Sequence, residues 1–245
     1  MHHDDARQYA DKRGLLLERH EHFTEAQPGV WIAEGATPPA SVTLRGDGST
    51  VWIGTGADCT GATISISGDN GLVVVGAYAT LRKGRVFLRG AGTSFWLGAF
   101  TTTAELTASA AERCSISIGD EGMFSNRITI DTTDGHSIYD VETGLRINPS
   151  KSVEIGRHVW LGREVRVSKG AIIGADSIVG QGALVTGTKC AQPNGLYAGS
   201  PAALRRAGVV WSRMQATSMD EMETSARHHQ FVAKRDALIA RCAVN

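Results

Sequence analysis

One stretch of this 245-residue chain concentrates side chains that can do chemistry. It is Asp131-Thr132-Thr133-Asp134-Gly135-His136-Ser137-Ile138-Tyr139-Asp140, running on to Arg146-Ile147-Asn148-Pro149. His136 is the sole histidine within about 20 residues on either side, and acids at 134 and 140 flank it. A neutral imidazole near pH 7 can take a proton from a hydroxyl or an amine. A carboxylate or carbonyl at its other nitrogen would fix the tautomer that does so. The chemistry implied is general-base catalysis. Asp134, Tyr139, Arg146 and Asn148 lie near that base in sequence and are candidate contacts to a polar substrate. No serine or cysteine sits in a persuasive nucleophile setting. Ser137 adjoins His136, but neighbours in an extended segment point to opposite sides. Trp160, taken alone, reads as a surface aromatic.

The elements that must hold this stretch follow a period of six. An aliphatic residue recurs at Ile155, Leu161, Val167, Ile173, Val179 and Val185, and glycine follows four of them at 156, 162, 174 and 180. Neither a helix nor an alternating strand has that period. A chain wound round a three-sided prism does, with about six residues per side and about eighteen per coil. The aliphatic residues should point inward and stack coil on coil. Ala171, Ser177 and Ala183 are small residues four places after an aliphatic partner. The glycines are expected to turn the corners, where they tolerate backbone angles other residues resist.

A longer rhythm precedes the hexads. Strand-like segments end at Gly54, Gly76, Gly98 and Gly119, spaced by about 22 residues, with alternating companions at 63–66, 85–88 and 128–130. Turn chemistry such as Gly68-Asp69-Asn70-Gly71 separates them. The reading is an all-β solenoid, a parallel β-helix over residues 40–200, with residues 131–150 as a loop that breaks its rhythm. Residues 1–39 form an N-terminal helical or extended segment, with a helix expected over 4–22. Residues 201–245 form a C-terminal tail and helix, the helix starting at the capping-box pattern Ser218 and Glu221 and running to 242. Loops carrying polar residues on a rigid scaffold are frequent functional sites, and a solenoid stabilised by repetition gains nothing from such an interruption.

Composition agrees. Glycine is abundant at 29 residues and aromatics are sparse at 6%, which suits a thin core of stacked aliphatics. Lys+Arg and Asp+Glu are both 25, so the basic excess of a nucleic-acid binder is missing. No stretch approaches the ~20 apolar residues of a membrane span, and the first residues lack a signal-peptide core, so a cytoplasmic protein is expected. Cys59, Cys114, Cys190 and Cys242 form no CxxC and read as buried or free thiols. A Walker loop and a well-placed GxGxxG are both absent.

The segments DGHSIYD, INP and VEIGRHVWLG, the hexads, and Ala198-Gly199-Ser200-Pro201-Ala202 resemble the hexapeptide-repeat acyltransferases. Within them the chain is most similar to bacterial O-acetyltransferases acting on capsular polysaccharides and sialic acids. The likeness is specific over residues 128–213 and architectural over 40–127. It implies a left-handed β-helix, acetyl-CoA as donor, a glycan acceptor and a homotrimer. It implies that His136 is the general base. It implies also that Trp160 helps hold the acetyl donor or the developing oxyanion. The donor's pantetheine arm would run near Gly162, Gly180 and Ala183. Its phosphates would meet Lys189, Ser200, Arg205 and Arg206. The family's Gly-Asn-Pro-Ala-Lys segment appears here as Gly199-Ser200-Pro201-Ala202-Ala203, without the lysine, and Arg205 and Arg206 are the cations available to substitute for it. His136 and Trp160 are 24 residues apart, one nominal coil plus one face, which puts them on different edges of the prism. A three-fold assembly would bring His136 of one chain to Trp160 of the next.

The same base would serve N-acetylation of an amino sugar, and the acceptor decides between the two. A metal-dependent γ-carbonic-anhydrase-like protein would need three histidines on adjacent coils. His136 and His158 are present in the coils without a third, and no metal is expected. A non-catalytic scaffold is the remaining reading, against which the DGHSIYD loop argues.

Overall fold

The structure, a computed structural model, describes residues 22–214 together with His229 and Ala233. These last two have helical backbone and exposed side chains. The remainder of the expected 218–242 helix, and that over 4–22 apart from its last residue, lie outside the described residues.

The chain forms a left-handed β-helix with three faces. The first face stacks Phe23–Gln27, Val30–Ala33, Thr50–Ile53, Leu72–Val75, Ser94–Leu97, Ser115–Ile118, Val153–Ile155 and Ile172–Ile173. The second stacks Thr80–Leu81, Thr102–Thr103, Met123–Phe124, Trp160–Leu161, Ile178–Val179, Gly195–Ala198 and Ala203–Ala207. The third stacks Ser41–Arg45, Thr63–Ser67, Gly84–Arg89, Leu106–Ala111, Ile128–Asp131, Arg166–Val167 and Leu184–Val185. Pairing is parallel except in two hairpins, Phe23–Gln27 with Val30–Ala33 and Gly195–Ala198 with Ala203–Ala207. The first face thus begins before residue 40, and the second continues past residue 200.

Register follows the repeats. In the hexad coils Trp160 pairs with Ile178 and Arg166 with Leu184, a step of 18. In the earlier coils Val73 pairs with Phe95 and Arg85 with Thr107, a step of 22. At the interruption Met123 pairs with Trp160 and Thr129 with Arg166, a step of 37. The extra residues all sit between Ile128–Asp131 and Val153–Ile155, at the corner joining the third face to the first.

All six hexad aliphatics are buried in the prism, as are Ala171, Ser177 and Ala183. Ser177 is tolerated there because its hydroxyl donates to backbone carbonyls at 175 and 192 and accepts from Gly195 N–H. A second apolar cluster, Trp52, Leu72, Val74 and Trp96 with Phe23 and Trp31, lies outside the prism on the first face. There Trp31 stacks on Trp52 at 5.3 Å.

The glycines after the aliphatics do a different job from the one expected. Gly156, Gly162, Gly174 and Gly180 are absent from the positive-φ positions. Instead, a Cβ on Gly162 would stand 2.7 Å from the backbone N of Gln181, and one on Gly156 2.6 Å from that of Ala175. Close approach of the next coil excludes a side chain. The left-handed residue of each corner comes two places later, at His158, Glu164, Gly170, Asp176 and Gly182, and is usually not glycine.

Candidate active site

The interrupting loop is a hairpin with a built base. Ile147 N–H donates to the Ile138 carbonyl at 2.9 Å and Asp140 N–H to that of Leu145 at 2.9 Å. The Asp140 carboxylate closes the tip, accepting from Thr143 N–H at 2.7 Å and Thr143 Oγ1 at 2.8 Å. The Thr143 backbone bond holds that carboxyl below its ordinary range. At the base, Asn148 is buried, and its side chain is the keystone. Its amide donates to the His136 carbonyl at 2.8 Å and to Asp134 Oδ2 at 2.9 Å. Its oxygen accepts from Ile138 N–H at 2.7 Å and from Arg146 Nε at 3.3 Å. Lys169 pairs with Asp134 and, with Asn148, holds that carboxyl below its ordinary range. Arg146 pairs with Glu112 at 2.8 Å. Lys169 and Glu112 both lie between third-face and first-face strands, so the loop is tied to the corner from which it emerges.

Three of the four expected substrate contacts therefore work inside the loop. Asp134, Arg146 and Asn148 bind one another and the loop's anchors, whereas Tyr139 is 60% exposed. Neither flanking acid orients His136: Asp134 answers Lys169 and Asn148, and Asp140 builds the turn. His136 is exposed, held through its backbone, and its ring hydrogen-bonds to nothing among the described residues.

Trp160 stands on the second face, pointing out and 37% exposed. The corner that carries His136 is opposite that face, so within one chain the prism lies between base and indole. The tail after the last strand supports Trp160, a feature the sequence did not announce. Trp211 is buried, donates its indole N–H to the His158 carbonyl at 2.8 Å, and stacks on the His158 ring at 4.2 Å. Its ring centre is 6.0 Å from that of Trp160. Arg213 then fastens the tail, donating to the carbonyls of Phe100, Glu121 and Gly122 and to Thr102 Oγ1. His158 is buried with Nδ1 3.0 Å from Asp176, far in role from the solvent-facing His136.

The expected donor contacts divide. Gly162, Gly180 and Ala183 flank the second face above Trp160. Their N–H groups bond carbonyls of the coils, their own carbonyls accept from the N–H groups of Val165, Ala183 and Arg166, and the Ala183 side chain is buried in the prism. Arg206 pairs with Leu196, extending the second face in the order Trp160, Ile178, Leu196, Arg206. Arg205 donates to the Ala198 carbonyl at 3.2 Å, and Ser200 sits at the exposed hairpin tip. Lys189 lies instead beyond the third-face strand Leu184–Val185, away from these arginines in the same chain. Burial pushes the thiols of Cys59 and Cys190 up, to about 12 and about 11, so neither is a ready nucleophile.

No family model matches the chain. It is 34% identical over 126 residues to a polysialic acid O-acetyltransferase of Neisseria meningitidis, covering 51% of this chain and 58% of that protein. It is 33% identical over 142 residues to a polysialic acid O-acetyltransferase of Escherichia coli O1:K1 / APEC, covering 56% and 45%. The chain thus spans about half the length of these relatives. Among solved structures, the polysialic acid O-acetyltransferase OatWY superposes with a TM-score of 0.64 at 29% identity over 79% of this chain and 96% of that one. The polySia-specific acetyltransferase NeuO superposes at 0.60 and 21% identity, over 83% and 99%, and speaks for the fold. The coils, the inserted DGHSIYD hairpin and these relatives agree: the chain is similar to the left-handed β-helix, hexapeptide-repeat acyltransferases.

Proposed function

We propose that the protein transfers the acetyl group of acetyl-CoA to a sugar hydroxyl of a capsular or other cell-surface polysaccharide. It would act in the cytoplasm, at the clefts of a homotrimer. His136 of one chain takes the proton of the acceptor hydroxyl as that oxygen attacks the thioester carbonyl. A C–O bond forms and the carbonyl electrons move to oxygen. The Trp160 indole N–H of the neighbouring chain, or a backbone N–H, donates to that oxyanion. The oxyanion collapses, the C–S bond breaks, and the imidazolium returns its proton to the departing CoA thiolate. No acyl-enzyme is needed. Arg205 and Arg206 face the donor's phosphates, and the second face above Trp160 carries its extended arm.

The observation that carries this reading is the placement of a tethered, exposed histidine opposite the face bearing the exposed indole. One chain cannot bring the two together; a three-fold neighbour can. The loop also exposes Ile138, Tyr139, Val141, Leu145 and Ile147, an apolar surface suited to a second copy. The relatives' names supply the acceptor class.

Two substitutions test it together. His136→Ala and Trp160→Ala should each lower turnover, His136→Ala by roughly 10²–10⁴-fold. Co-expressed in equal amounts, the two variants should regain about a quarter of wild-type activity. One site in four then draws its histidine from one variant and its tryptophan from the other. Activity no higher than either variant alone overturns the shared site, and unchanged turnover in His136→Ala overturns the base.

A further inference from the structure

The second face has a part that the donor reading leaves unused. On the side of Trp160 away from Arg205 and Arg206 lies a groove of about 630 Å³. Two outward-pointing columns shape it. One is Thr80, Thr102, Met123 and Trp160, paired strand to strand on four successive coils. The other stands two places on in each coil, at Arg82, Ala104 and Ser125. The residues between them, Leu81, Thr103 and Phe124, are buried in the prism. Ala104 and Ser125 are small, so they leave a trough beside the Met123 side chain and the Trp160 indole. Charge along this trough is one-sided. Among the described residues no acid lines it, and Arg82 and Lys83 stand at its lower end. Arg82 is answered by Asp58 at 2.5 Å. Lys83 is exposed at the corner between second and third faces, with no ion-pair partner among the described residues.

The interrupting hairpin is the complement of that surface. Val141 is 98% exposed at its tip, and Ile138, Leu145 and Ile147 are exposed behind it. Of the two acids at the tip, Asp140 is spent on the turn. Glu142 is exposed and has no ion-pair partner among the described residues. Within one chain the third face separates Glu142 from Lys83. Between chains the heights agree. A three-fold axis parallel to the prisms keeps all copies level. The hairpin leaves its corner between the coil of Met123 and that of Trp160, level with the upper end of a neighbour's groove. From Trp160 down to the coil of Lys83 is three coils, about 14 Å at 4.8 Å per strand. From His136 to Glu142 is six residues, which reach up to about 20 Å. An arm that holds His136 at a neighbour's Trp160 can therefore set Glu142 at that neighbour's Lys83. The other half of the face carries the donor arm, which leaves the lower half to receive the hairpin.

We propose that this groove is the seat of a second copy's hairpin, with the apolar tip on Met123 and the trough and Glu142 paired to Lys83. The proposal rests on the shared-site reading and adds the surface that receives the arm. Seated there, the hairpin shields the lower side of the His136 and Trp160 pair from water and ties assembly to completion of the site.

The test uses the full chain without acetyl-CoA. A carbodiimide, which takes up water as it joins a carboxylate to an amine, should give covalent dimers and trimers containing a Glu142–Lys83 peptide. That peptide found only at monomer mass overturns the seat. Glu142→Lys and Lys83→Glu should each raise the concentration at which the assembly half-dissociates about tenfold, read by sedimentation. The double reversal restores opposite charges and should return the midpoint to within about twofold of wild type. Arg45→Glu, an exposed charge on the third face, should leave it unmoved. Added salt should raise the wild-type midpoint and lower that of each single reversal. Single reversals that change nothing, or a double reversal no better than either, overturn the latch even if acetyl is transferred. Charge-dependent assembly in a chain that transfers no acetyl keeps the latch and overturns the acetyltransferase.

Discussion

Asn148 is the residue at which structure and catalysis can be separated. Its side chain joins four loop groups: the His136 carbonyl, Asp134 Oδ2, Ile138 N–H and Arg146 Nε. Asn148→Ala removes all four. The contacts to Asp134 and Arg146 are part-buried, and those two groups keep alternative partners in Lys169 and Glu112, so they add less. The two backbone contacts are worth about 1 kcal/mol each, more if a group is stranded, giving about 2–3 kcal/mol for loop closure. At 1.4 kcal/mol per tenfold, that is about a 30- to 150-fold shift toward loosened loops. Hydrogen exchange at the Ile138 amide should quicken by the same factor. Turnover should fall by up to that factor, because general-base geometry fails with shifts of about 1 Å. The prism should melt where it did before, since none of the four contacts involves a coil strand. Asn148→Asp keeps an acceptor for Ile138 but sets a second carboxylate against Asp134, and should recover little. Unchanged Ile138 protection, or turnover that holds while protection collapses, would refute the claim that Asn148 sets the base.

Three further outcomes follow from the same geometry. Gly162→Ala drives a Cβ into the backbone of residues 180 and 181 and should destabilise by about 1–3 kcal/mol in thermal unfolding, with Gly162→Asn no better. Gly182, at φ +70 with nothing within 4 Å of where a Cβ would stand, should by contrast accept asparagine almost freely, since asparagine tolerates the left-handed region. Trp211→Phe keeps a ring on His158 but loses the N–H to its carbonyl, about 1 kcal/mol, whereas Trp211→Ala should cost about 3–5 kcal/mol and lower turnover as Trp160 loses its neighbour. The lowered Asp134 carboxyl contributes stability that is complete above the ordinary carboxylate range and is lost as pH falls through its lowered value. NMR shifts of the Asn148 side-chain amide should therefore stay constant above about pH 5, and a shift with a neutral midpoint would show that another group governs the tether.

The prism was legible because repetition puts every inward residue in the same surroundings. Ile155 and Val185 are chosen by one rule, and a step of 18 in sequence becomes a strand pair. The glycines after the aliphatics were read as corner turners, whereas they mark positions where the next coil leaves no room for a side chain. A positive φ and a crowding neighbour leave the same mark in a sequence, and only the neighbour's position tells them apart. The true corner residues were hidden because Tyr78, Phe100, His158 and Glu164 carry the left-handed conformation without glycine. Each costs about 1–2 kcal/mol, which the packed coils on either side outweigh. The loop was legible as a break in rhythm. Its tether was not, because Glu112, Asn148 and Lys169 meet only when three coils stack. Trp211 and Arg213 were missed for the same reason: their partners lie up to 113 residues away.

A solenoid turns position along the chain into height along its axis, because each coil touches only its neighbours. That is why the second face can be ordered by height through residues 80, 102, 123, 160, 178 and 196. It is also why a coil step of 37 in place of 18 or 22 disturbs nothing above or below. The insertion adds an arm bearing His136 at one corner while strand register passes beneath it. The same rigidity sets a limit. A straight prism cannot bend its own corner round to its own opposite face, so in the proposed mechanism a base on the arm would serve an indole on a neighbour. Deleting the loop while keeping the coils should therefore leave a folded protein that still fills the Trp160 half of each cleft. Such a chain should rescue Trp160→Ala in mixed assemblies and do nothing alone. Rescue by the loop-deleted chain requires shared sites, and its failure in an assembly that still forms would place base and indole in one chain after all.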